Sequence, residues 1–317
     1  MEYVLLIAGL VTLIFGGDAL VKGAVGIALK FNISSLVIGM TVVAFGTSMP
    51  ELLVSIKAAI ENHPEIAIGN VVGSNIANIA LVLGLTTMIL PIPVKFSTVR
   101  VDWPIMMIAS ILFYLFILNG VIEWWEGLIF SAGILLFTYL TIKKSSVTVN
   151  HDKIEDIQED ELEEVEKKAY GLLKSIMFVI VGILGLTFGA SWLLDGAVQI
   201  AQNFGLSEHV IGVTIVAFGT SVPELATSVV AACKKETDIS VGNLIGSNIF
   251  NILAVLGFTA LVKEIPVSNQ VITNDAYWML GISLLLFPLM YYKYNINRLK
   301  GLVLFTSYLV YLYFVLK

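Results

Sequence analysis

Charge is scarce in this 317-residue chain: 13% of the residues are Asp, Glu, Lys or Arg, against 57% hydrophobic. A soluble domain is about a quarter charged, and a folded domain of this size still needs a polar skin. The shortfall, with a mean hydropathy of +0.91, excludes an ordinary soluble enzyme and leaves a multi-span membrane protein. Cysteine is almost missing, and the single Cys233 excludes an internal disulfide and a thiolate-built metal centre. No basic patch exists, which excludes nucleic acid as a partner. The formal net charge of −6 is local, because residues 143–169 hold nine acids against five lysines. The three histidines, His63, His151 and His209, fall at loops or span ends and read as solvated.

What is abundant is apolar sequence. The apolar runs read as ten membrane-crossing helices near 3–28, 36–60, 65–90, 103–119, 125–142, 171–201, 209–233, 239–262, 273–292 and 300–316. The expected fold is an all-α integral membrane protein. Pro91, Pro93, Lys95 and Arg100 break helix and end the third span. Trp103, Trp124, Trp125 and Trp278 fall near span ends, where indole rings favour the headgroup layer. The first run carries Asp18 and Lys22 and lacks a positive leader, so it reads as a retained span. One set of alternate loops holds 14 Lys and Arg and the opposite set holds 3. That bias puts both termini outside and the acidic segment 143–170 in the cytoplasm. The segment reads as a solvated, partly helical linker; it lacks the spaced ligands and turn glycine of an EF-hand loop.

The chain also repeats itself. VIGMTVVAFGTSMPELLVS (37–55) aligns without gaps on VIGVTIVAFGTSVPELATS (210–228), and GNVVGSNIANIALVLG (69–84) on GNLIGSNIFNILAVLG (242–257). At this offset of 173, 28 of the 49 positions from 37 to 85 are identical. The match reaches Gly16, Leu20 and Gly23, which align with Gly189, Leu193 and Gly196. The sequence therefore divides into a five-span repeat at 1–142, the linker 143–170 and a second five-span repeat at 171–317. Five crossings are odd, so the second copy enters the membrane upside down. Inverted repeats are an architecture of alternating-access transporters.

Glu51 and Glu224 interrupt apolar spans at matching repeat positions. Each costs about 2.5–3.5 kcal/mol at a span centre, and no Lys or Arg at equal depth compensates them. Lys22 is better placed to pair with Asp18, four residues earlier. The glutamates are then either protonated and hydrogen-bonded or neutralised by cations. Pro50 and Pro223 break the helical ladder, freeing carbonyls around Ala44 to Thr47 and Ala217 to Thr220. Thr47, Ser48, Thr220 and Ser221 add hydroxyls. Asn70, Ser74 and Asn78 share one helical face, repeated by Asn243, Ser247 and Asn251. Asn75 and Asn248 read as interhelical packing, as do Gly69, Gly73, Gly242 and Gly246. An all-oxygen donor set suits calcium, sodium or magnesium and not zinc or copper.

GTSMPEL with GNVVGSNIANI, then GTSVPELATS with GNLIGSNIFNI, resemble the two alpha repeats (37–85 and 210–258) of the calcium/cation antiporter superfamily. The resemblance is to its prokaryotic sodium/calcium exchanger branch. It implies a core of the second, third, seventh and eighth spans with one calcium and three sodium sites. It makes Glu51 and Glu224 the main calcium ligands, with the carbonyls of Thr47 and Thr220 beside them. Sodium would draw on Ala44, Ser48, Ser74, Ala217, Ser221 and Ser247, with Asn78 and Asn251 central. The first and sixth spans would slide across this core. Some relatives, potassium-dependent ones included, carry aspartate where this chain has Asn251; two asparagines argue for potassium independence. The implied protein is a sodium/calcium antiporter of the plasma membrane, electrogenic at three sodium ions per calcium. It would act as a monomer, with calcium and sodium as cargo at the midplane, lipid around it and no resident cofactor. A calcium/proton antiporter stays open because buried glutamates can titrate. A passive channel lacks an evident pore ring, and an enzyme lacks a nucleophile with its base.

Overall fold

The computed structural model describes residues 2–152, 171–204 and 219–315, with backbone only for 144–152. Among these residues eight helices are long and apolar enough to cross a membrane, and one bent pair brings the number to nine. In chain order the helices are α1 (Glu2–Phe31), the pair α2 (Ser35–Thr47) and α3 (Met49–Ile60), α4 (Glu65–Ile89), α5 (Thr98–Ile117) and α6 (Trp124–Asp152). Then follow α7 (Leu172–Asn203), α8 (Val222–Cys233), α9 (Thr237–Val262), α10 (Val271–Tyr294) and α11 (Arg298–Val315). The start of the expected span 209–233, with His209 and Ala217, lies outside the described residues, as does the linker from 153 to 170.

Local sequence explains the helix ends. Ser34 caps α2, its hydroxyl accepting from Val37 N–H at 3.4 Å. Glu126 reaches back to the Glu123 N–H at 2.8 Å and starts α6. That helix continues to Asp152, so the first residues of the acidic linker are helical. The fourth span begins at Thr98 and not near 103, because a π-helical turn, Thr98–Asp102, precedes Trp103. Trp103 consequently stands one turn inside the helix, donating to the Ser283 carbonyl at 2.8 Å. Trp124, at the start of α6, is exposed.

Burial sorts the helices into layers. In α4 and α9, 78% and 83% of the most apolar stretch is buried, against 17–39% for the other unbroken spans. These two form the interior, and the outer helices present Leu, Ile, Val and Phe outward, the surface lipid requires. One apolar cluster joins α4 and α9 to α5, α6, α10 and α11. A second joins α1 and α7 to α2 and α8.

Helices α1 and α7 lie along one another in opposite directions. Gly9 faces Gly189 and Leu193, Gly16 faces Gly182 and Leu186, and Gly23 faces Ser175 and Val179. A Cβ on Gly16 would sit 2.7 Å from the Leu186 nitrogen; only small residues let the backbones come this close. Two short antiparallel ladders complete the fold. Strand β1 (Ile92–Pro93) pairs with β4 (Asn295–Ile296), and β2 (Val121–Ile122) pairs with β3 (Ile265–Pro266).

Candidate metal centre

A helix break at Ser48 and a helix start at Ser221 create the site. Pro50 has no N–H for the Gly46 carbonyl, so the helical ladder cannot run through it. The chain turns at Ser48 (φ −88°, ψ 5°), and α3 restarts with Pro50 in its first turn. Ser221 has the same geometry (φ −88°, ψ 3°) before Pro223 in α8. Proline suits a first turn, where its missing N–H would be unpaired anyway. The sequence places both glutamates midway along kinked spans; in the structure Glu51 stands where the bent pair α2–α3 restarts, and Glu224 in the first turn of α8. The bend between α2 and α3 is 43°. The Ala44 carbonyl keeps a helical bond, from Ser48 N–H at 3.0 Å, so the break frees fewer carbonyls than the proline alone suggests.

The two carboxylates come together. Glu51 and Glu224 are both 0% exposed and near enough for their charges to interact. Ser48 Oγ donates to Glu224 Oε1 at 3.4 Å, joining the break in one half to the glutamate of the other. Among the described residues nothing hydrogen-bonds Glu51 Oε1, Glu51 Oε2, Glu224 Oε2 or Ser221 Oγ. The ion pairs of the described residues involve neither glutamate. Lys22 pairs with Asp18 at 2.7 Å, and Lys234 joins the same carboxylate.

Hydroxyls and amides near the two Pro-Glu turns pair with one another, and their contacts recur under the 173-residue offset. Thr47 Oγ1 lies 3.3 Å from Ser247 Oγ, and Ser74 Oγ lies 3.4 Å from Thr220 Oγ1. Asn75 Nδ2 donates to the Asn248 carbonyl and Asn248 Nδ2 to the Asn75 carbonyl, each at 3.3 Å. Asn78 Nδ2 donates to Asn248 Oδ1 and Asn251 Nδ2 to Asn75 Oδ1, each at 3.1 Å. Asn78 Oδ1 and Asn251 Oδ1 are buried without a partner among the described residues. Both asparagines lie in π-helical turns, Ala77–Leu83 and Asn251–Leu256, a geometry that recurs at functional sites.

Of the twelve residues expected from sequence, Glu51, Glu224, Thr47, Thr220, Ser48, Ser221, Ser74, Ser247, Asn78 and Asn251 fall at the two Pro-Glu turns and the facing segments of α4 and α9. Ala44 is buried against Gly246, and Ala217 lies outside the described residues. Sequence reasoning underrates four amides. Asn75 and Asn248 hold the inner asparagines as well as packing. Asn70 donates to the Glu51 carbonyl and Ser55 Oγ, and Asn243 accepts from Thr47 and donates to Ser228. Their recurrence at one offset is the signal that marks them. Gly242 and Gly246 do pack against α2, a Cβ there meeting Leu36 and Met40 backbone at 2.5 and 2.6 Å. No described atom comes within 4 Å of the same point on Gly69 or Gly73.

The fold and its centre define a helical multi-pass membrane protein with an acidic, oxygen-lined interior. Among the described residues no three His, Cys, Asp or Glu side chains cluster, so carboxylates, hydroxyls and amides are the available donors. Such hard oxygens fit calcium or sodium. The profile of the sodium/calcium exchanger proteins matches residues 1–143 and 174–317, and the chain belongs to that family. It is 32% identical over 341 aligned positions to the sodium/calcium exchanger MaX1 of Methanosarcina acetivorans, covering 98% of this chain and 97% of that protein. It is 34% identical over 281 positions to the inner membrane protein YrbG of Escherichia coli, covering 89% and 86%. The solved structure of the sodium-calcium exchanger NCX_Mj superposes with a TM-score of 0.83 at 33% identity, over 98% of this chain and 97% of that one.

Proposed function

We propose that this protein is a secondary antiporter that exchanges sodium for calcium across the plasma membrane by alternating access. The observation that carries this is the fully buried Glu51–Glu224 pair, delivered by equivalent first turns after Ser48 and Ser221 and left with oxygens unbonded among the described residues. Two ionised carboxylates match one calcium in charge, and oxygen ligands at 2.3–2.6 Å suit it. Calcium is held by Glu51 and Glu224 with the carbonyls of Thr47 and Thr220. Sodium draws on Ala44, Ser48, Ser74, Ala217, Ser221 and Ser247, with Asn78 and Asn251 between the halves. The ions are cargo, and the exchange needs no enzymatic step and no resident cofactor.

Ten spans in two inverted halves, 1–142 and 171–317, give the site access to each side in turn. Support comes from the opposite directions of the repeat counterparts α1 and α7 and from the reciprocal asparagine contacts. The close glycine-lined pairing of α1 with α7 supports their moving as a unit over the core. Both termini are outside and the linker 143–170 is cytoplasmic, following the Lys and Arg bias. Three sodium ions for one calcium leave one net charge per cycle, and Asn251 in place of an acid makes the cycle independent of potassium. A monomer holds the complete site.

Vesicles loaded with sodium and carrying the protein take up radiolabelled calcium; Glu51→Gln or Glu224→Gln each abolish that uptake. Wild-type uptake in either variant refutes the site. Uptake driven by a pH gradient without sodium replaces the sodium cycle with a proton cycle on the same fold. Uptake without any counter-ion gradient makes the protein a channel.

A further inference from the structure

We infer that Asn75 and Asn248 are positioning residues that fix which way the amides of Asn78 and Asn251 point, and so present their Oδ1 atoms to the ions. The inference rests on the antiporter reading of the same site. Each outer asparagine has both amide hydrogens committed. Asn75 Nδ2 faces the Asn248 carbonyl at 3.3 Å and Met279 Sδ at 3.8 Å; Asn248 Nδ2 faces the Asn75 carbonyl at 3.3 Å and Met106 Sδ at 3.7 Å. With the NH2 groups engaged, the outer Oδ1 atoms are acceptors turned toward the other half. Asn78 and Asn251 meet them with Nδ2 at 3.1 Å.

This determines the inner amides. Rotating the Asn78 amide by half a turn would set its oxygen against Asn248 Oδ1, acceptor against acceptor, and would lose the hydrogen bond. Each inner NH2 group thus donates to an outer asparagine, and Asn78 Oδ1 and Asn251 Oδ1 remain buried and unbonded among the described residues. The segment bearing Asn78 packs on α8, which carries Glu224, and the segment bearing Asn251 packs on α3, which carries Glu51. An amide that flipped would offer N–H to a cation where oxygen is required.

Outer partners of metal ligands are worth about 10–100-fold in affinity, so Asn248→Ala is expected to raise the ion concentration for half-maximal transport at least about tenfold. Maximal turnover changes less. In an Asn78→Ala background the same change has under about a twofold effect, since the amide it orients is gone. Asn75→Ala, acting on Asn251, is the independent second variant. An unchanged half-saturation, an undiminished effect in the Asn78→Ala background, or failure of both Asn75→Ala and Asn248→Ala to fold overturns the inference. In each case the outer asparagines only hold α4 to α9. If Glu51→Gln and Glu224→Gln abolish uptake while Asn248→Ala is silent, the antiporter stands and this inference falls.

Discussion

Glu51 and Glu224 each bring a carboxyl group to a place that no described cationic side chain reaches. Without an ion, two buried carboxylates repel and lack compensation, and an uncompensated buried charge is strongly destabilising. Glu51→Gln is therefore expected to raise the melting temperature in sodium- and calcium-free buffer by a few degrees. Calcium at 100 times its Kd stabilises wild type by about 2.7 kcal/mol, and that rise disappears in the variant. A thermal-shift series with and without calcium measures both effects; a lower ion-free melting temperature contradicts the account. Both glutamates are legible in the sequence, because an acid in an apolar run is conspicuous and its return at one offset is more so. Asn75 and Asn248 are not, because an amide on a helix face looks the same whether it packs or orients a neighbour. The Asp18–Lys22 pair is legible from its spacing of four, whereas the part played by Lys234 depends on tertiary contact.

Helices follow the apolar runs closely, since span length is set by membrane thickness. The departures are local. Pro50 and Pro223 signal an interruption, but whether the chain kinks or stops and restarts depends on what packs around it. The π-helical turns at Gly39–Val43, Ala77–Leu83 and Asn251–Leu256 are made of residues equally at home in an α-helix, so no composition marks them. The α1–α7 contact shows how much one element can depend on a missing side chain. A Cβ on Gly16 would press on the Leu186 nitrogen at 2.7 Å, whereas one on neighbouring Gly17 would meet the Ala226 carbonyl at an ordinary 3.4 Å. Gly16→Ala is expected to cost about 1–3 kcal/mol through overpacking, and Gly17→Ala much less, by thermal unfolding in detergent. Equal losses from the two would mean that α1 and α7 do not rely on close backbone approach.

Over the whole molecule, charge balance becomes measurable. If three sodium ions leave a vesicle for each calcium that enters, one net positive charge moves outward per cycle. A potential of 100 mV acts on that charge by about 2.3 kcal/mol. An inside-positive potential is therefore expected to accelerate calcium uptake into sodium-loaded vesicles, and an inside-negative one to slow it. Rates that ignore the potential point to an electroneutral ratio. The repeat that frames this balance is plain in the sequence, but its three-dimensional consequence is not, because an offset of 173 says which residues correspond and not which residues touch.

Strand β1 of the first half finds its partner in the second, and β2 does the same, as the four asparagines do. A contact in which one copy supplies what the other receives, and receives what the other supplies, is how a two-fold dimer is built. Here both partners lie in one chain, so each such contact is made within the molecule, while corresponding positions such as Lys22 and Asp195, or Glu61 and Lys234, carry opposite charges.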